Sequence, residues 1–193
     1  MTPADPAPTR LTVDEYERLA EEGLLDADDR VELLEGVVVT MPPGSPRHAG
    51  VIDRLNELLV GLARGRAVVR VQNAFRAGRW SMPQPDLAVV PGRHGDWDAR
   101  HPDRAHLVVE VSVTSLPSDR ISKSRIYAAA GVPQYLIVNV PGGCIEVFEE
   151  PVPATARYRR TRVATRGDAV ALVELPGAVL HVDDVLPPPD ADA

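Results

Sequence analysis

Two acidic residues stand where apolar strands should not carry charge. The stretch MPQPDLAVV, residues 82–90, places Asp86 after a proline at the mouth of an apolar run. HLVVEVSV, residues 106–113, places Glu110 inside a second such run. Side chains alternate along a strand, so Leu107, Val109, Val111 and Val113 share one face, and His106, Val108, Glu110 and Ser112 the other. An ionised carboxylate is costly to bury unless it is paired or holds a metal. Taken alone, Glu110 fits a structural salt bridge to a nearby arginine, and Asp86 a turn residue bonded to its own backbone. Taken together, they form a pair that can converge from neighbouring strands on a hard cation. Mg²⁺ takes oxygen ligands at about 2.1 Å and keeps several waters, so two carboxylates plus a substrate phosphate suit it, and Mn²⁺ is the alternative. Lys123 is the third element. It stands one helical turn before Tyr127 on the helix after the Glu110 strand, so both project from one side. Crossing back over the sheet, that helix can bring the ammonium to the metal, to orient a water and offset phosphate charge. The alternative for Lys123 is a solvated helix face.

The elements that must position these groups are legible in order. TVDEYERLAEEGLL reads as a helix whose Thr12 and Glu15 form a capping box. RVELLEGVVVTM reads as a hairpin turning at Glu35-Gly36. SPRHAGVIDRLNELLVGLARG reads as a helix, with Ser45 as cap, Pro46 in the first turn, Gly65 at the end, and Ile52, Leu55, Leu59 and Leu62 as its core stripe. The runs AVVRVQNAF, PDLAVV and HLVVEVSV read as strands, with a long polar loop before the third. SDRISKSRIYAAAGVP reads as a helix capped by Ser118 and stopped at Gly131. QYLIVNV and CIEVFEE read as a hairpin around Gly142-Gly143, followed by short strands and a final turn. The class is α/β: a mixed central sheet flanked by helices. Residues 1–10 and 187–193 read as loose tails around one domain spanning 11–186.

Composition bounds the function. The chain has 193 residues, 44% apolar and 25% charged, as expected of a soluble globular domain. No apolar run approaches the ~18 residues that cross a bilayer, so no membrane partner is expected. The opening MTPADPAPTR lacks the apolar stretch of a secretory leader, and the single cysteine excludes an intrachain disulfide framework. A cytoplasmic location is expected. A net charge of −7 counts against indiscriminate nucleic-acid binding but not against a metal-dependent site, where bound cations offset local charge. RYRRTRVATR, residues 157–166, reads as a guarded strand edge, with a phosphate-facing strip as the alternative.

VELLEG, SPRH, QPDLAVV, LVVEVSVTSLPSDRISKSRIYAAAGVPQYLIVN and LPGAVLHVDDVL occur in an order that resembles the Uma2 family over about residues 11–186. That family resembles the PD-(D/E)XK nucleases and is labelled a restriction endonuclease family, which implies a restriction-endonuclease-like fold. The resemblance implies that Asp86 and Glu110 hold Mg²⁺ with help from the backbone carbonyl of Val111. The nuclease pattern expects a lysine two residues after Glu110. This chain has Ser112 there, and Lys123 takes its place. Asp119 and Tyr127 match recurrent positions of the same helix. Glu32 matches an early glutamate, and His48, facing inward with the stripe of Ile52, Leu55 and Leu59, matches a histidine; each is a candidate proton acceptor, and for His48 a hydrogen-bonded core position is the alternative. Val113, Leu136 and Asn139 depart from the family pattern without removing a proposed ligand. The expected activity is Mg²⁺-dependent cleavage of phosphodiester bonds in nucleic acid, DNA first, by a possible homodimer. The rival is a nuclease-like scaffold that binds nucleic acid or a protein partner without cutting, and a small-molecule phosphohydrolase is a third reading.

Overall fold

Thr12 opens the first helix, α1 (Val13–Glu21): its hydroxyl accepts from Glu15 N at 3.3 Å, and Glu15 Oε2 accepts from Thr12 N at 2.8 Å. This is the reciprocal cap expected of that spacing. The computed structural model describes residues 10–25 and 30–188. Residues 1–9 and 189–193, most of the two expected tails, lie outside the described residues. β1 (Val31–Leu34) and β2 (Val37–Thr40) form an antiparallel hairpin. Its turn residues Glu35 and Gly36 have φ of 50° and 84°, the left-handed pair that a two-residue turn requires. The hairpin is fastened to the body by Leu33 and Met82, whose backbones exchange bonds of 3.2 and 2.7 Å. α2 (Pro46–Ala63) starts at Ser45, whose hydroxyl accepts from His48 N at 3.2 Å. It buries Val51, Ile52, Leu55 and Leu59.

The central sheet runs β3-β4-β5-β6-β7-β8: Val68–Val71, Leu87–Val90, Leu107–Ser112, Gln134–Asn139, Cys144–Val152 and Arg157–Thr165. Every neighbouring pair is antiparallel except β5–β6, which is parallel. A parallel pair needs a crossover. Here it is α3 (Leu116–Ser118), a π-helical turn (Asp119–Lys123) and α4 (Ser124–Ala129). α2 covers one face with β9 (Ala169–Ala171), β10 (Val179–His181) and α5 (Val182–Val185). The other face packs under α4, where Tyr127 meets Tyr135 with ring centroids 4.9 Å apart. β4, β5 and β6 are buried along their whole length, which explains their continuous apolar runs. The α/β class with a mixed sheet between helices is therefore observed. β8, with exposed Arg157, Arg159 and Arg160 and half-buried Arg162, is an edge strand of that sheet. Among the described residues no helix is long and apolar enough to cross a membrane.

Two local expectations are corrected. The strand expected over residues 67–75 ends at Val71, because Gln72 turns out of it with φ of 49°. Ser118 does not cap the crossover helix; it has helical angles and makes no capping bond. The helix begins earlier, at Leu116, where Pro117 in the first turn has no N–H to leave unpaired. Leu55, wholly buried under the sheet, tests how firmly α2 is held. Leu55→Ala is expected to cost about 2–5 kcal/mol in urea unfolding; a loss below about 0.5 kcal/mol, typical of surface sites, would contradict this packing.

Candidate active site

The register of β4 against β5 puts the two acids face to face. Leu87 pairs with Val109 and Ala88 with Val108. One step further along the same register, Asp86 lies opposite Glu110. Both continue the face of Ala88 and Val108, on the α4 side of the sheet. Residues opposite one another on antiparallel strands have Cβ atoms about 4.5–5.5 Å apart. The register also explains why a charge opens β4. Asp86 keeps its backbone in the sheet, accepting from Gln72 N at 3.0 Å. Its carboxylate Oδ2 accepts from Val111 N at 2.8 Å, so the side chain satisfies a strand amide beyond the end of the ladder. The same oxygen meets His48 Nε2 at 3.1 Å. His48 is placed by the first turn of α2, whose buried stripe turns it inward.

Glu110 is almost fully buried, at 4% exposure. Its Oε1 accepts from Lys123 Nζ at 3.0 Å and from Tyr127 hydroxyl at 2.7 Å. Its partner is thus a lysine of the next helix, not an arginine. Lys123, 8% exposed, is not on a solvated helix face. Its Nζ also lies 3.4 Å from Glu32 Oε1, and Glu32 Oε2 accepts from Gln84 N at 3.1 Å. The π turn widens the crossover helix where it carries two buried charged residues, Asp119 and Lys123; such turns are frequent at functional sites. Asp119 Oδ2 accepts from Ser115 Oγ at 2.6 Å. Val111 meets the site through its N–H, while its side chain joins the apolar cluster under α2.

Asp86, Glu110, Val111, Lys123, Glu32 and His48 all line one open cleft of about 1130 Å³. Asp119, Gln72 and Gln84 also line it. Neither glutamine was singled out in the sequence. Gln72 has a signal only once pairing is known: it sits opposite Asp86 across β3–β4, and its Nε2 lies 3.4 Å from Asp86 Oδ1. A second hollow, about 540 Å³ beside β7 and β8, is lined by Glu149, Arg160 and Val173 and lies away from this acidic cluster.

The electrostatics are those of a crowded anionic floor. Burial pushes the Glu110 carboxyl up to about 8; Asp86, Asp119 and Glu32 add to the rise and Lys123 opposes it. Burial likewise raises Asp119, against the bond from Ser115. Burial works against the Lys123 ammonium, but Glu110, Glu32 and Asp119 outweigh it and hold the group above the ordinary lysine range. The hydrogen bond to Asp86 raises His48, against its partial burial. The donor set fits a divalent cation. Glu110 Oε1 carries both of its hydrogen bonds, leaving Oε2 without one among the described residues. Among the described residues Asp86 Oδ1 has only the long contact from Gln72. Among the described residues no three His, Cys, Asp or Glu side chains form a closed metal cage. The open alternative, one or two carboxylates with water and phosphate completing the shell, is the kind Mg²⁺ favours.

A pH dependence follows. A carboxyl raised on folding binds its proton in the folded state where the unfolded chain has released it. Its contribution therefore weakens the fold as pH rises from about 4.5 to about 8. The raised Asp119 and His48 act in the same direction. Thermal melting of the metal-free protein should show stability falling across this interval, by roughly 5 kcal/mol for the Glu110 shift. Glu110→Gln should flatten most of the slope; an unchanged slope in that variant would show that Glu110 does not carry it.

The Uma2 family model, described as "Putative restriction endonuclease", matches residues 13–183. The fold is similar to the crystal structure of a putative nuclease belonging to DUF820 from Anabaena variabilis. The TM-score is 0.71 at 13% sequence identity, over 91% of this chain and 97% of that one. No curated protein matches the chain. A match of this extent to the family model, over the strands and crossover that build the cleft, establishes that the chain belongs to the Uma2 family.

Proposed function

We propose that this protein is a metal-dependent nuclease that hydrolyses phosphodiester bonds in nucleic acid, with DNA as its substrate. The observation that carries the reading is the opposition of Asp86 and Glu110 across β4–β5, with Lys123 of the following crossover bonded to Glu110. The family and the likeness to a nuclease fold support it.

Asp86 and Glu110 would hold Mg²⁺ or Mn²⁺, with the Val111 carbonyl as a further oxygen. The ion, when bound, supplies a water of lowered pKa and neutralises charge building on the phosphate. The protein's own groups do the rest. Lys123 orients the attacking water and offsets the phosphate charge. His48 fixes the Asp86 carboxylate through Nε2, and its imidazole, poised by that bond, can take up a proton near neutral pH. Tyr127 locks the rotamer of Glu110 from the buried side. The open cleft admits a chain rather than enclosing a small molecule, which favours a polynucleotide over a simple phosphoester. A homodimer would set two such clefts against the two strands of a duplex.

A non-cutting scaffold is the competing reading, favoured by the net charge of −7 and by the lysine already seated on Glu110. Cleavage of plasmid, linear duplex, single strand and RNA, with Mg²⁺ and Mn²⁺, separates the two. Metal-dependent cutting of DNA is expected. Asp86→Ala and Glu110→Gln should each abolish it. Lys123→Met should lower the rate on the order of 10²–10³-fold, and His48→Asn roughly 10–100-fold, as for a residue acting through a ligand. No cleavage of any nucleic acid, or cleavage indifferent to Asp86→Ala, would remove the nuclease reading.

A further inference from the structure

Lys123 stands between two buried carboxylates, not on one. Its Nζ is 3.0 Å from Glu110 Oε1 and 3.4 Å from Glu32 Oε1. One partner would neutralise it. A second carboxylate, 5% exposed and brought in from β1, is a costly addition unless its charge is needed. Glu32 is also held still: Gln84 N donates to its other oxygen at 3.1 Å, and its strand is bolted to Met82 through Leu33. Glu110 is the carboxylate with a conflict. The ammonium and a divalent cation both seek it, and two positive charges on one carboxylate repel strongly at low dielectric. Lys123 has a flexible stem, and a small rotation moves its charge from the nearer carboxylate to the other.

We propose that Glu32 is the second seat of Lys123. It is a positioning residue that takes the ammonium when Glu110 takes a divalent cation, and so keeps the lysine in the cleft beside the metal. This rests on the metal-dependent reading above and adds to it a stated role for a residue that touches neither metal nor substrate. Without Glu32 the ammonium has Glu110 as its main anchor, and it competes with the metal for it.

The test is a double-mutant cycle read by calorimetric titration with Mg²⁺. Glu32→Gln, which keeps an oxygen for Gln84 N–H, should bind Mg²⁺ roughly tenfold more weakly than the unaltered protein. Lys123→Met should raise Mg²⁺ affinity more in the Glu32→Gln background than in the unaltered one, by a further factor of about ten, because only there is the lysine an unrelieved competitor. Equal gains in the two backgrounds overturn the proposal. So does a loss in Glu32→Gln that Lys123→Met leaves in place, which makes Glu32 a direct ligand. If the unaltered protein binds no Mg²⁺, the metal-dependent reading itself falls and takes this proposal with it. Should Glu32→Gln fail to fold, a crystal structure of the unaltered protein with Mg²⁺ decides. Nζ closer to Glu32 than to Glu110 supports the exchange, and Nζ still closer to Glu110 overturns it.

Discussion

Glu110 cannot be where it is without partners. A carboxylate at 4% exposure in the middle of a six-residue buried strand faces a desolvation cost that no solvent relieves. The structure answers with two donors on one oxygen, Lys123 and Tyr127, a turn apart on the crossover. That single arrangement dictates much of what surrounds it. The crossover must return over the β5–β6 pair at a fixed height. Tyr127 must pack against Tyr135 to reach inward. Glu32 must arrive on a hairpin pinned at Leu33, since otherwise Lys123 would have one carboxylate and not two.

The opposition of Asp86 to this group follows from the antiparallel β4–β5 register. Asp86 is satisfied differently, by a strand amide and an imidazole, so among the described residues each acid keeps one oxygen with little or no hydrogen bonding. Two acids tethered by unlike partners and facing each other make an open anionic floor. The absence of a lysine two residues after Glu110 also has a physical counterpart. Ser112, fully buried, points to the same face and leaves room for Ser115 and Asp119, with Ser115 Oγ 3.4 Å from Ser112 Oγ and 2.6 Å from Asp119 Oδ2. The ammonium then enters from the helix, through the π turn.

Much of this was legible in the chain. Alternation placed Glu110 and Ser112 on one strand face, and the helical spacing put Lys123 and Tyr127 together; both hold, because each rests on local periodicity. The capping box of α1 and the Glu35-Gly36 turn held for the same reason. What escaped depends on tertiary placement. The pairing of Lys123 with Glu32 requires knowing that Leu33 meets Met82, which no local pattern encodes. Gln72 and Gln84 enter the cleft because of how β3 ends and how the hairpin docks. Ser118 resembles a cap because it is a serine before an acidic residue, whereas Pro117 lets the helix begin a turn earlier. The π turn has no sequence signature at all.

In the proposed mechanism Asp86 and Glu110 share one divalent ion. Anomalous diffraction from crystals soaked in Mn²⁺ reads that sharing from the ion itself. One strong peak is expected between the two carboxylates, within about 2.0–2.4 Å of an oxygen of each, and its loss in Asp86→Asn crystals. A peak elsewhere in the cleft, or none at saturating Mn²⁺, would contradict it.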